Sequence, residues 1–162
     1  MPFAPLSILP RSVMGLAKEV AKALLRRPVV GVSAAARTSD GRWLLVRRGD
    51  TGTWGLPGGT LEWGETLRSC VVRELAEEAG VVGATVGRLV GVYSRPDRDI
   101  RFHAVTVLVT ADIAEPTRKP VNPLEIREVR LFRDDELPSE IALGMTDLLA
   151  AARRGEGEPI LE

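Results

Sequence analysis

The 162-residue sequence predicts an α/β sandwich built on a mixed β-sheet. Two observations carry this. Apolar, β-branched runs separated by turn signals outnumber the helical stretches. The runs and helices also do not alternate regularly, so the all-parallel sheet of repeated βαβ units does not apply.

Taken in order, Val13, Leu16, Val20 and Leu24 recur at steps of three and four, which predicts an amphipathic helix over Val13–Arg27 that Pro28 ends. Residues 1–28 are therefore assigned as an N-terminal helical extension, packed on the domain or at a dimer contact. "VVGVSAAAR" (Val29–Arg37) and "WLLVRR" (Trp43–Arg48) read as strands joined by the turn signal "TSDG". A glycine-rich loop spans Gly49–Glu65. A helix follows from about Thr66 to Ala79, stopped by Gly80. "TVGRLVGVYS" and "RFHAVTVLVTADI" read as strands around the polar loop "RPDRD". "EVRLF" (Glu128–Phe132) is a further strand, and "ALGMTDLLAAARR" is a closing helix. The main domain is placed at 29–154 and a flexible tail at 155–162.

Composition narrows the chemistry. Lysine plus arginine and aspartate plus glutamate number 22 each, so the charge balance gives no support for nucleic-acid binding. No apolar run approaches the roughly 18 to 20 residues that span a bilayer. The N-terminus lacks the order of a secretory signal, and a cytoplasmic location is the default expectation. One cysteine and one histidine cannot build a sulfur- or imidazole-rich metal site. Any bound metal should be a hard cation held by oxygen, such as magnesium.

The segment "RELAEEAGV" (Arg73–Val81) suggests where such a cation would sit. On a wheel of about 100° per residue starting at Leu67, Val71, Leu75 and Ala79 define an apolar stripe. Glu78 and Glu74 fall on or beside that stripe, and Glu77 flanks them. Helical spacing brings the three carboxylates to one side, where they repel one another and resist burial. A solvated helix edge with Arg73 pairing Glu77 accounts for Glu77, but poorly for Glu74 and Glu78. A divalent cation would compensate all three. The preceding glycines permit close approach of backbone to a ligand or metal.

Gly59 to Val81 reads Gly-x5-Glu-x7-Arg-Glu-Leu-x-Glu-Glu-x-Gly-Val and resembles the signature of the Nudix hydrolases, with every specified position filled: Gly59, Glu65, Arg73, Glu74, Leu75, Glu77, Glu78, Gly80 and Val81. The resemblance implies an α/β/α sandwich. It also implies hydrolysis of a nucleoside diphosphate linked to another moiety, assisted by magnesium or manganese. By position it implies Glu77 and Glu78 as metal ligands and Glu74 as a ligand or the base. Arg73 would orient the glutamates, Glu65 would be an outer or additional ligand, and a carbonyl of Gly58 or Gly59 would complete the shell. A further catalytic acid is expected from "NPLEIREVRLF", with Glu125 preferred over Glu128.

Pro96, fifteen residues beyond Val81, resembles the pattern of ADP-ribose pyrophosphatases of this family. That makes ADP-ribose or a nucleotide-sugar the expected substrate class. Arg95 and Arg98 are candidate phosphate contacts, with Arg101 beside them, and Tyr93 and Trp54 are candidate aromatic contacts. A solvated turn accounts equally well for the arginines, and core packing accounts for the tryptophans. The alternatives are a (deoxy)nucleoside triphosphate pyrophosphohydrolase and a non-catalytic nucleotide-binding regulator. A homodimer is compatible with the sequence.

Overall fold

The computed structural model describes residues 27–99, 102–142 and 144–162. Apart from Arg27, the helix expected over Val13–Arg27 lies outside the described residues. The elements run β1 (Val29–Thr38), β2 (Trp43–Arg48), β3 (Trp54–Gly55), α1 (Leu67–Ala79), β4 (Thr85–Tyr93), β5 (Ala104–Ile113), β6 (Ile126–Phe132), α2 (Thr146–Arg153) and β7 (Ile160–Leu161).

The strands form one mixed sheet of order β3-β2-β1-β5-β4-β7, with β6 paired to β2 off that path. At its centre β1 runs parallel to β5 over its full length, from Val29↔Ala104 to Thr38↔Ile113. β4 is antiparallel to β5, and β6 to β2.

Period-two alternation splits the core into two layers. Val32, Ala34 and Ala36 of β1, with Leu44 and Val46 of β2, face Cys70, Val71, Leu75 and Ala79 of α1. Ala35, Trp43 and Leu45 point to the other side and meet Leu148, Leu149, Ala151 and Ala152 of α2. One helix covers each face, which gives the sandwich its three layers.

Local sequence explains the limits of α1. The Thr66 hydroxyl accepts the Ser69 N–H at 3.2 Å, and the Ser69 hydroxyl accepts the Thr66 N–H at 2.9 Å. This reciprocal cap satisfies two amides that a helix start leaves without partners. At the other end Gly80 adopts φ 66°, and its N–H bonds the Ala76 carbonyl. The left-handed conformation that ends the helix is available to glycine without strain.

The tail departs from expectation. Residues 155–162 are not a loose end: Ile160–Leu161 form β7, parallel to β4. The Glu162 carboxylate accepts the Ser94 and Arg95 N–H groups, each at 2.9 Å, and pairs with Arg98. Ile160 has apolar partners in the second core layer, and Glu162 supplies the anion that the arginine loop needs.

Candidate active site

The glycine-rich loop does not wander. Residues 57–61 run along β1: Ala34 N–H donates to Pro57 O, Val32 N–H to Gly59 O, and Leu61 N–H to Val30 O, at 2.8, 2.8 and 2.9 Å. That zipper lays Gly58 and Gly59 directly against the buried face of α1. A Cβ on Gly59 would stand 2.2 Å from Glu74 Oε1, so only glycine leaves room for that carboxylate.

The acids divide as the helix wheel expects. Glu74 and Glu78 are 9% and 8% exposed, whereas Glu77 is exposed. Leu67, the origin of the wheel, is itself exposed at the first turn. Gly58 N–H donates to Glu78 Oε2 at 2.8 Å. Burial pushes the Glu78 carboxyl up to about 7, against the opposing pull of that amide and with the negative charges of Glu74 and Glu125 adding to the rise. Burial also raises Glu74, while Arg73 draws it back down.

Arg73 organises one side of the site. Its Nε and Nη2 fork the two oxygens of Glu65 at 2.9 and 3.0 Å, and Nη1 reaches Glu74 at 2.9 Å and Glu77 at 3.3 Å. Nη2 also donates to the Thr60 carbonyl at 3.1 Å. One guanidinium therefore ties the loop to the helix through charge-assisted bonds. Of the two roles expected for Glu65, outer or additional ligand, this geometry fits the outer one: both its oxygens are taken by Arg73, and it does not line the cavity. Its carboxyl is held down at about 2, chiefly by Arg73.

Glu125 arrives from a different element. The proline-containing loop before β6 docks on the end of α1, with Thr117 and Arg118 N–H on the Gly80 carbonyl and Val121 N–H on the Glu77 carbonyl. At its far end Gly49 N–H donates to the Glu125 carbonyl at 2.6 Å. Glu128 points elsewhere, 3.8 Å from Arg47.

Gly58, Gly59, Glu74, Glu77, Glu78 and Glu125 line one cavity of about 390 Å³. Arg48, Asp99, Phe102, Thr106 and Met145 complete its wall, and the sequence reading had selected none of these five. Arg48 had a signal, as a cation ending β2 beside the glycine-rich loop. Met145 had none. A larger cleft, of about 820 Å³, lies against β6 and contains none of the α1 carboxylates.

The expected substrate contacts fare differently. Tyr93 is 3% exposed and packed in the second core layer, so it cannot stack on a base. Trp54 is buried edge-on against Phe132, with centroids 4.9 Å apart, and is likewise unavailable. Arg98 is committed to Asp147 and Glu162 and lies over the Tyr93 ring at 4.8 Å. Arg95 pairs with Glu162 at 3.3 Å, and neither it nor Pro96 lines the cavity. Of the described residues between β4 and β5, Asp99 and Phe102 reach the wall, and Arg101 lies outside the described residues.

The donor set suits a hard divalent ion. It is all oxygen, two of its carboxylates are buried, and burial outweighs the pull of Arg48 and the Gly58 amide on Glu78. Among the described residues no three acids, histidines or cysteines close on a single point. The arrangement is thus an open wall, not a cage. Magnesium is commonly held in this way, by one or two carboxylates with the remaining ligands from water and phosphate oxygens.

Comparison with known proteins gives a consistent result. Residues 27–152 match the NUDIX domain. An ADP-ribose pyrophosphatase of Methanocaldococcus jannaschii is 36% identical over 118 residues, which is 71% of this chain and 68% of that protein. A MutT Nudix hydrolase of Burkholderia pseudomallei superposes with a TM-score of 0.64 at 31% identity, over 78% of this chain and 98% of the other. An ADP-ribose pyrophosphatase of Streptococcus suis superposes with a TM-score of 0.68 at 27% identity, over 84% of this chain and 100% of the other.

Proposed function

Because the chain belongs to the Nudix hydrolase family, we propose that it hydrolyses the pyrophosphate bond of a nucleoside diphosphate linked to a sugar, with ADP-ribose as the leading substrate. The observation that carries this reading is the single cavity in which Glu74, Glu77 and Glu78 of α1 meet Glu125 from the loop before β6. Two relatives described as ADP-ribose pyrophosphatases support the substrate class.

Magnesium or manganese would be held by Glu74, Glu77 and Glu78, beside the Gly58–Gly59 backbone. When bound, the metal offsets the charge of the diphosphate and makes its attached water more acidic. The chain's own residues do the rest. Arg73 holds Glu74 and Glu77 in place through Nη1. Gly58 N–H fixes one oxygen of Glu78. Glu125, standing on another element, would take the proton that water loses as its oxygen bonds to phosphorus, a role its presence on the same cavity wall supports. The bridging P–O bond then breaks, and the second phosphate leaves with its sugar. Among the described residues Arg48, which pairs with Asp50 at 2.9 Å, is the one cation on the wall and can face a phosphate oxygen. Phe102, in place of Tyr93 or Trp54, offers the aromatic surface of the cavity.

The test is turnover with magnesium against ADP-ribose, nucleotide-sugars, dinucleoside polyphosphates and nucleoside triphosphates. AMP and ribose phosphate from ADP-ribose are the expected products. Pyrophosphate released from triphosphates, with no cleavage of ADP-ribose, would replace the substrate assignment. Nucleotide binding with no turnover of any of them would refute the enzymatic reading.

A further inference from the structure

A cavity larger than the acid-lined one lies away from its carboxylates and has the opposite electrostatic character. Its volume is about 820 Å³, against about 390 Å³ for the acid-lined cavity. One wall is the loop carrying Pro116, Pro120 and Pro123, and the other is β6 from Ile126 to Leu131. Residues of both parities along β6 line it, so it opens along that strand's outer edge, and β6 pairs only with β2 among the described strands.

Five cations line this cleft, Arg42, Arg118, Lys119, Arg127 and Arg130, against the single carboxylate of Glu128. In a chain with 22 basic and 22 acidic residues this is a local excess. Pairing sharpens it. Arg42 is neutralised by Asp40 and Glu115, and Glu128 by Arg47. Arg130 lies over the Phe132 ring at 4.9 Å. Arg118, Lys119 and Arg127 are exposed and have no carboxylate partner among the described residues.

The cleft is also built in advance. Arg118 is fixed by its own N–H on the Gly80 carbonyl, and Val121 by its N–H on the Glu77 carbonyl. Ligand contacts on a loop held this way cost little ordering entropy. Its floor is apolar: Ile126 is buried, and Val129 and Leu131 are half-buried. Cations around an apolar floor, in a volume of nucleotide size, select an anion with a flat or apolar body.

We propose that this cleft is a second, non-catalytic binding site for a nucleotide-sized organic phosphate, held by Arg118, Lys119 and Arg127. It does not depend on the hydrolytic reading. Without metal the catalytic cavity presents five carboxylates, Glu74, Glu77, Glu78, Asp99 and Glu125, against Arg48 among the described residues, and repels such anions, so the two sites can be told apart.

The experiment is calorimetric titration of the full chain with ADP in EDTA at low salt, beside adenosine and inorganic pyrophosphate. The expected result is one ADP per chain, weakened by salt as screening requires. Adenosine should not bind, and pyrophosphate should bind more weakly than ADP. R118S/K119S/R127S should lose at least tenfold in affinity, while E78Q/E125Q should bind as the wild type does. Failure of ADP to bind at millimolar concentration overturns the proposal. So does undiminished affinity in the triple variant, or loss of binding in E78Q/E125Q. Amide shift changes on adding ADP to the wild type give a reading that needs no variant. Shifts over residues 116–131 support the site, and shifts confined to residues 58–78 overturn it.

Discussion

Glu78→Gln should make the metal-free protein more stable at pH 8 while disabling it. The folded chain moves this carboxyl from 4.5 to about 7, chiefly by burial. At about 1.4 kcal/mol per tenfold step, that is a penalty of about 3 kcal/mol on the ionised form. Because the folded value lies above the unfolded one, the folded chain binds more protons between pH 4.5 and about 7. Stability therefore falls as pH rises through that window and levels off above it. Glutamine keeps the shape and an oxygen for the Gly58 N–H, but never ionises. A weaker bond to that amide gives back about 1 kcal/mol. The net gain at pH 8 is about 2 kcal/mol, or roughly 4–8 °C in melting temperature for a chain of this size. Urea unfolding in EDTA from pH 5 to pH 8 measures it. The variant should match or trail the wild type at pH 5 and overtake it by pH 8. With magnesium the wild type should regain the difference by mass action, and the variant's kcat should be lower by about tenfold to a thousandfold. A stability difference that does not change with pH would refute the reasoning.

Gly59→Ala should push the Glu74 carboxylate off its position beside Arg73. Turnover should fall at least about tenfold with a small change in melting temperature, as kinetics and thermal unfolding would report. Gly49→Ala places a Cβ 1.9 Å from the Leu124 carbonyl oxygen and should break the hydrogen bond from the residue 49 N–H to the Glu125 carbonyl. Its loss of kcat should not deepen when Glu125→Gln is added, which a double-mutant cycle tests. Tyr93→Phe removes a buried hydroxyl that has no hydrogen-bond partner among the described residues. It should stabilise the fold by about 1 kcal/mol in urea unfolding and leave KM for ADP-ribose unchanged.

Features that depend on local pattern were legible in the sequence. Thr66 and Gly80 mark the ends of α1 because caps are short-range devices, and β2 follows its apolar run residue for residue. The placing of Glu74 and Glu78 on the buried face of α1 followed from helical spacing alone. Long-range pairing was not legible. Tyr93 and Arg98 are polar-tipped residues near a loop, and only the sheet register and the return of Glu162 turn them into core and latch. The fork between Arg73 and Glu65 crosses from loop to helix, which neither strand nor helix periodicity encodes. Two-residue strands such as β3 and β7 lack any period to read. The bulge in the β2–β6 pairing between Arg47 and Arg48 is equally invisible, yet it lies where Arg48 enters the cavity wall.

Gly80 ends α1 through its amide and receives the amides of Thr117 and Arg118 through its carbonyl. A single residue thus belongs to two segments nearly forty residues apart. The last turn of the helix and the loop that delivers Glu125 should open as one unit, because either can let go only by disturbing the other. In hydrogen exchange, Gly80, Thr117 and Arg118 would then share one opening free energy.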